Sequence, residues 1–376
     1  MDFVYYFLSF FIVINIIVFV HEFGHFLAAR RCGVKVSTFS LGMGPELFGF
    51  TDKKGTRWIF SALPVGGYVM MLGDGDISST TEDKNSLKDL TPEEKAQSFY
   101  AKSNLEKMLI AFSGPLFNYI YAFIVVLFMS WLYGIPTYKP VIHEIQQNSA
   151  AAEAGLQVGD KVLAVDDKQV EKFRDINIGI ICSDRESVKF TIEREGAIKD
   201  FYVTPKIEQV KKAFGTRNVK KVGIAPGKYE LVRKGFVDSV KIAILSCWNS
   251  TVEMFGMFGR LFSGKSSIDN FGGIVQMTKV AGGLVQSGDL SMLIMFTVML
   301  SLNLGFINLF PLPVLDGGRI LISFIEQVSG RKLNNKFQEY LMTACVMLLI
   351  FLMIATTVND ILNIEFVGKF VSGLMR

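Results

Sequence analysis

Four stretches of this chain contain no Asp, Glu, Lys, Arg or His: residues 3–20, 108–138, 290–315 and 340–359. Crossing ~30 Å of hydrocarbon takes about 20 helical residues, a length that each stretch meets or nearly meets. These stretches hold 95 of the 376 residues, so the 39 basic and 35 acidic residues all fall on the other 281, about 26 % of them, a density ordinary for protein in water. The pattern predicts a polytopic α-helical membrane protein with four transmembrane helices and a sizeable aqueous part. The first stretch reads as a span rather than a cleaved leader, because only Met1 and Asp2 precede it and its basic residues, Arg30 and Arg31, follow it. A net charge of +4 is small for this length and predicts no nucleic-acid partner. Four cysteines, Cys32, Cys182, Cys247 and Cys345, stand far apart with no CxxC, which indicates neither a disulfide framework nor a thiolate metal site.

Lys and Arg close to the span ends set orientation. Nine of them, Arg30, Arg31 and Lys102 included, fall on one side of the bilayer and four on the other, which places the first group in the cytosol. The chain then divides into a first transmembrane helix at 1–35, a membrane-associated β segment at 36–72, a mobile cytosolic loop at 73–104 and a second transmembrane helix at 105–136. A soluble α+β unit at 137–230 lies outside the cell; its strand-like runs include KVLAVDD, SVKFTIERE and KDFYVTP, with one helical candidate after Val170. Residues 236–262 read as an amphipathic helix on the outer surface, followed by a third transmembrane helix and its continuation at 290–318 and a fourth at 338–360. Asp74-Gly75-Asp76 is not a calcium loop, since Ser78 and Ser79 stand where the EF-hand pattern needs Asp or Asn and then Gly.

His21-Glu22-Phe23-Gly24-His25 continues the first apolar run without a helix breaker. Spacing of i and i+4 puts both imidazoles on one helix face, where they can share a zinc ion. Glu22 lies ~100° round the helix from His21, near enough to serve as a base toward an attacking water without being a ligand. Two of the chain's three histidines are here, and ionisable groups at a hydrocarbon edge cost ~2.5–3.5 kcal/mol each in charged form, so they require a reason. A catalytic zinc of this kind takes a third protein ligand, and the remaining histidine, His143, falls on the far side of the membrane. The third span, descending from Leu290, reaches the cytosolic side near Phe310, and Asp316 follows at the level His21 attains after about 27 Å of the first span. Between them Pro311 and Pro313 break the helix, and irregular backbone at that depth survives only where it is buried in protein or lines a cavity.

HEFGH on a first membrane helix and NLFPLPVLDGG after a third, with a PDZ-like segment SAAAEAGLQVGDKVL at 149–163 between them, resemble the site-2 protease family of intramembrane zinc metalloproteases. The likeness is specifically to the bacterial regulator-of-sigma-E protease type, and it covers essentially the whole chain. FSLGMGP at 39–45 and PVGGYV at 64–69 are similar to that family's membrane-associated β segment, and SGPLFN at 113–118 to the opening of its second span. The resemblance implies that His21, His25 and Asp316 ligate zinc, that Glu22 is the catalytic base, and that Asn308, Gly42 and Gly44 contact substrate. It further implies one external, periplasmic PDZ-like domain that screens substrates, and a multi-pass protein of the cell inner membrane with its active site near the cytosolic side. The implied substrates are single-span membrane proteins, anti-sigma factors or remnant signal peptides among them, cut within the lipid bilayer. Two other classes compete: a membrane zinc transporter or metal sensor, which would carry more polar residues through its spans than Asn15, Asn118 and Asn303, and an inactive PDZ scaffold, in which Glu22 would have no purpose.

Overall fold

The computed structural model describes residues 2–73, 91–183, 185–212, 215–262 and 274–362. The rejected calcium loop and most of the expected mobile loop therefore lie outside the described residues. The chain forms two compact bodies, one of Met1–Leu127 with Val240–Arg376 and one of Phe128–Ser239.

In the first body, helix α1 (Asp2–Arg31) carries the HExxH sequence through its last turns. Strands β1 (Val36–Thr51) and β2 (Arg57–Met71) pair antiparallel, with repeated register shifts. Residues 38–41 pair on one side with 67–70 and on the other with 57–60, so two long strands fold into a curled sheet in which the 67–71 end is an edge. A one-turn helix, α2 (Pro92–Ala96), precedes α3 (Asn104–Phe128), which ends in a π-helical turn, Met129–Tyr133. Down α3 the exposed positions are Leu105, Leu109, Phe112, Leu116, Ile120, Ile124 and Phe128, at steps of three and four, while Ile110, Gly114, Asn118, Ala122 and Val126 are buried. An apolar stripe of that length turned outward suits lipid and not water.

The second body contains short strands β3 (Ile135–Thr137) and β4 (Glu144–Ile145), helix α4 (Ala150–Glu153), β5 (Lys161–Val165), β6 (Lys168–Gln169), α5 (Phe173–Cys182), β7 (Val188–Arg194) and β8 (Ala197–Val203). It continues through the hairpin β9 (Lys206–Lys212) and β10 (Gly215–Lys221) to β11 (Ile224–Ala225) and β12 (Glu230–Val232). The central antiparallel sheet has the order β6-β5-β7-β8. Alternate residues of β7, Val188, Phe190 and Ile192, are fully buried with Val162, Val165, Ile176 and Val203, so one sheet face and α5 enclose a core typical of water-soluble protein.

Helix α6 (Phe236–Phe262) leads back to the first body, followed by α7 (Ile274–Gln286), α8 (Leu290–Asn308), α9 (Asp316–Ser329) and α10 (Asn335–Leu362). Helix α7 was not anticipated; Ala281 joins Phe10, Val13, Ile17, Phe296 and Leu300 in a core shared by α1, α7 and α8. Helix α6 keeps Trp248 exposed, yet it does not simply lie on a surface. Its Thr251 hydroxyl is 3.0 Å from Tyr119 of α3, and the Phe255 and Phe258 rings sit 4.7 and 5.8 Å from Phe306 of α8. Aromatic packing of that kind draws the apolar face of an amphipathic helix onto its neighbours. Among the described residues, three helical stretches are long and apolar enough to cross a membrane: Tyr6–Arg31, Asn104–Tyr133 and Leu290–Asn308.

Candidate metal centre

Three elements distant in sequence meet at one point of the first body. The α1 turn supplies His21 and His25, both buried, with their Nε2 atoms 3.2 Å apart. From the start of α9 comes Asp316, whose Oδ2 lies 3.1 Å from His21 Nε2 and whose Oδ1 lies 3.3 Å from His25 Nε2. Ligands ~2.0–2.1 Å from a tetrahedral zinc are separated from each other by about 3.3–3.4 Å, so two imidazole nitrogens and a carboxylate at these spacings fit the edges of such a coordination shell. The donor set, nitrogen and hard oxygen without sulfur, also suits zinc. Among the described residues this is the one cluster of three or more such groups with that convergence.

Local sequence explains why the parts can approach. At Gly24, between the two histidines, a Cβ would stand 2.4 Å from the Ser113 carbonyl oxygen of α3. Facing it, a Cβ on Gly114 would stand 2.3 Å from His25 Nε2 and 2.9 Å from His21 Cε1. The absence of side chains at these two positions lets α1 and α3 pack backbone to backbone with the imidazoles held between them. Beyond α8, Pro311 and Pro313 end the helix and the chain turns back tightly, with Gly317 and Gly318 against the Leu309, Phe310 and Leu312 carbonyls. That turn puts Asp316 in the first turn of a new helix, aimed at α1.

A cavity of about 220 Å³ opens beside the cluster, lined by Glu22, Gly67–Met71, Phe99, Ile110, Asn308, Val314, Leu315 and Arg319 together with the three convergent side chains. Among the described residues no hydrogen-bond donor holds the Glu22 carboxylate, which leaves it available to a ligand in the cavity. Asn308 Nδ2 is 3.3 Å from His21 Nε2. Of the residues singled out from sequence, His21, Glu22, His25, Asn308 and Asp316 thus share one cavity. Gly42 and Gly44 do not line it: they occupy β1 with φ of 90° and 89°, where the strand bends, and the β-sheet wall of the cavity is instead the 67–71 edge. Asn118, Ile110, Gly114 and Arg319 were not read as site residues. Asn118 carried the clearest signal, an amide in the middle of the 108–138 uncharged run.

The sequence model of a family described as "Peptidase family M50" matches residues 9–352. Three relatives whose names include the words zinc metalloprotease align over nearly their full length. The protein from Agrobacterium fabrum is 33% identical over 95% of this chain and 95% of its own. That from Rickettsia conorii is 35% identical over 95% and 98%, and that from Campylobacter jejuni 36% identical over 95% and 94%. Matched along almost its whole length, the chain belongs to peptidase family M50, the site-2 protease family, and is a zinc-dependent intramembrane metalloendopeptidase.

Proposed function

We propose that His21, His25 and Asp316 hold the catalytic zinc, that Glu22 is the general base, and that the enzyme cleaves transmembrane segments of single-span proteins at the cytosolic side of the bacterial inner membrane. The convergence of the Asp316 carboxylate on both imidazoles at 3.1–3.3 Å carries this reading. Bound there, zinc supplies positive charge that polarises a peptide carbonyl and lowers the pKa of water. Glu22, which accepts from no donor among the described residues and faces the same cavity, takes the proton of the attacking water and returns it to the leaving amine. The Asn308 amide donates to the carbonyl being attacked.

A helical substrate hides its carbonyls in i to i+4 bonds and must unwind before attack. The 67–71 edge runs along the cavity with one strand neighbour among the described residues, and an extended peptide can add to such an edge by main-chain hydrogen bonds. In this reading Gly42 and Gly44 serve the substrate by bending the sheet that presents the edge. Residues 338–360, where α10 lies, form the fourth span, and residues 137–230 form a periplasmic PDZ-like domain that screens substrates before they reach the cavity.

The test is purification in detergent, metal analysis, and incubation with a tagged single-span protein. Glu22→Gln is expected to retain zinc and lose about 10²–10⁴-fold in cleavage rate. Asp316→Asn is expected to lose both zinc and cleavage; full activity in either variant rejects that residue's role.

A further inference from the structure

A zinc-binding imidazole that coordinates through Nε2 carries its proton on Nδ1, and a fixed acceptor there selects the tautomer and the ring's orientation. For His25 the acceptor is plain: Nδ1 lies 2.8 Å from the main-chain oxygen of Ile110 on α3, in a buried position. For His21 the neighbour is Asn118, two helical turns further along α3 and fully buried, whose amide nitrogen is 3.2 Å from His21 Nδ1. In that orientation the Asn118 Oδ1 is a buried polar atom with no hydrogen-bond partner among the described residues. The two ends of a carboxamide have the same shape, so the side chain fits its site equally well turned by 180°. Turned, Oδ1 accepts from His21 Nδ1–H, and the amide nitrogen takes the point that no donor among the described residues faces.

Helix α8 packs against this residue from the other side, fixing its main chain and Cβ. Ser301 Oγ donates to the Asn118 main-chain oxygen at 3.0 Å, and a Cβ on Gly305 would stand 3.2 Å from the Asn118 Cβ. Asn118 is therefore clamped between α1 and α8, with one end of its amide able to reach the ligand ring. We infer that Asn118 is the positioning residue of His21, its side-chain oxygen accepting the Nδ1 proton so that Nε2 faces the cavity, as the Ile110 carbonyl does for His25. Helix α3 thereby supplies the second shell for both histidines while contributing no ligand itself. The inference rests on the proposed zinc site.

The test uses the full-length protein in detergent, with zinc affinity read by competition against a chromogenic chelator and ligand geometry by the visible spectrum of the cobalt-substituted form. Asn118→Leu keeps the volume and removes the acceptor; it is expected to weaken zinc binding about 10–100-fold and to alter the cobalt spectrum. Asn118→Asp keeps an acceptor and removes the donor; it is expected to bind zinc within a few-fold of wild type. Affinity unchanged in Asn118→Leu overturns the inference. Loss in Asn118→Asp as large as in Asn118→Leu overturns it too, because an amide that donates to the ring would fail in both. If Asn118→Leu does not fold, the Asn118→Asp affinity decides alone. Failure of the underlying site looks different: wild type would hold no zinc, or Asp316→Asn would hold it undiminished.

Discussion

At the scale of single residues, the site depends as much on side chains that are missing as on those present. Gly114→Ala places a methyl within 2.3–2.9 Å of both imidazoles, an overlap that real packing does not accommodate without displacement. Overpacking costs about 1–3 kcal/mol, and here the strain falls on the two imidazoles. The expected outcome is a loss of bound zinc on dialysis against chelator with helix content by circular dichroism unchanged; full zinc retention would show that the rings can move aside. His21, His25 and Glu22 were legible because i, i+4 spacing is a local rule. Asp316 was legible because span lengths put it at the same depth. Gly114 and Asn118 were not, since nothing in the 108–138 run says which helix face meets α1 until the helices are packed.

Among elements, sequence reading succeeded where periodicity was strong and failed where packing decided. Strands β5, β7 and β8 and helix α5 fall on the runs picked out by alternation and by the helical pattern after Val170. The β9–β10 hairpin, rich in Lys, shows too little apolar alternation to be seen, α9 is a short amphipathic helix, and α7 is another whose apolar face meets α1, more than 250 residues away. Within the second body one ion pair stands out: Arg194 Nε and Nη2 each lie 2.7 Å from a different oxygen of Asp160, which is buried. Burial alone would raise the Asp160 pKa, but the Arg194 guanidinium and the Gln157 amide N–H hold it below the ordinary carboxylate value. A depressed folded pKa contributes stability above the unfolded value of ~3.9 and loses it as pH falls through the folded value. Asp160→Asn, which leaves Arg194 without its counter-charge, is expected to destabilise this body by about 2–3 kcal/mol at pH 7. Hydrogen exchange of β5 and β7 in the full-length protein reads the effect, and the mutant's deficit should shrink below pH ~4. A deficit independent of pH would show that the charge is not its source.

The whole molecule combines a body with an outward apolar stripe and a second body whose core is of the kind found in water-soluble protein. The Lys and Arg distribution predicts that the 128–239 body is external and residues 91–101 are cytosolic. In right-side-out vesicles an added protease should cut within 128–239 and spare 91–101, with the reverse in inverted vesicles; cleavage of both from one side would contradict the orientation. In the proposed site, parts of the chain about 290 residues apart hold one cation between them. X-ray absorption at the zinc edge of the purified full-length protein tests it most directly, compared with Asp316→Asn at matched protein concentration. The expected first shell holds nitrogen and oxygen only, at ~2.0–2.2 Å, and is lost or loses an oxygen in the variant. Sulfur at about 2.3 Å, or a shell unchanged by Asp316→Asn, would contradict it.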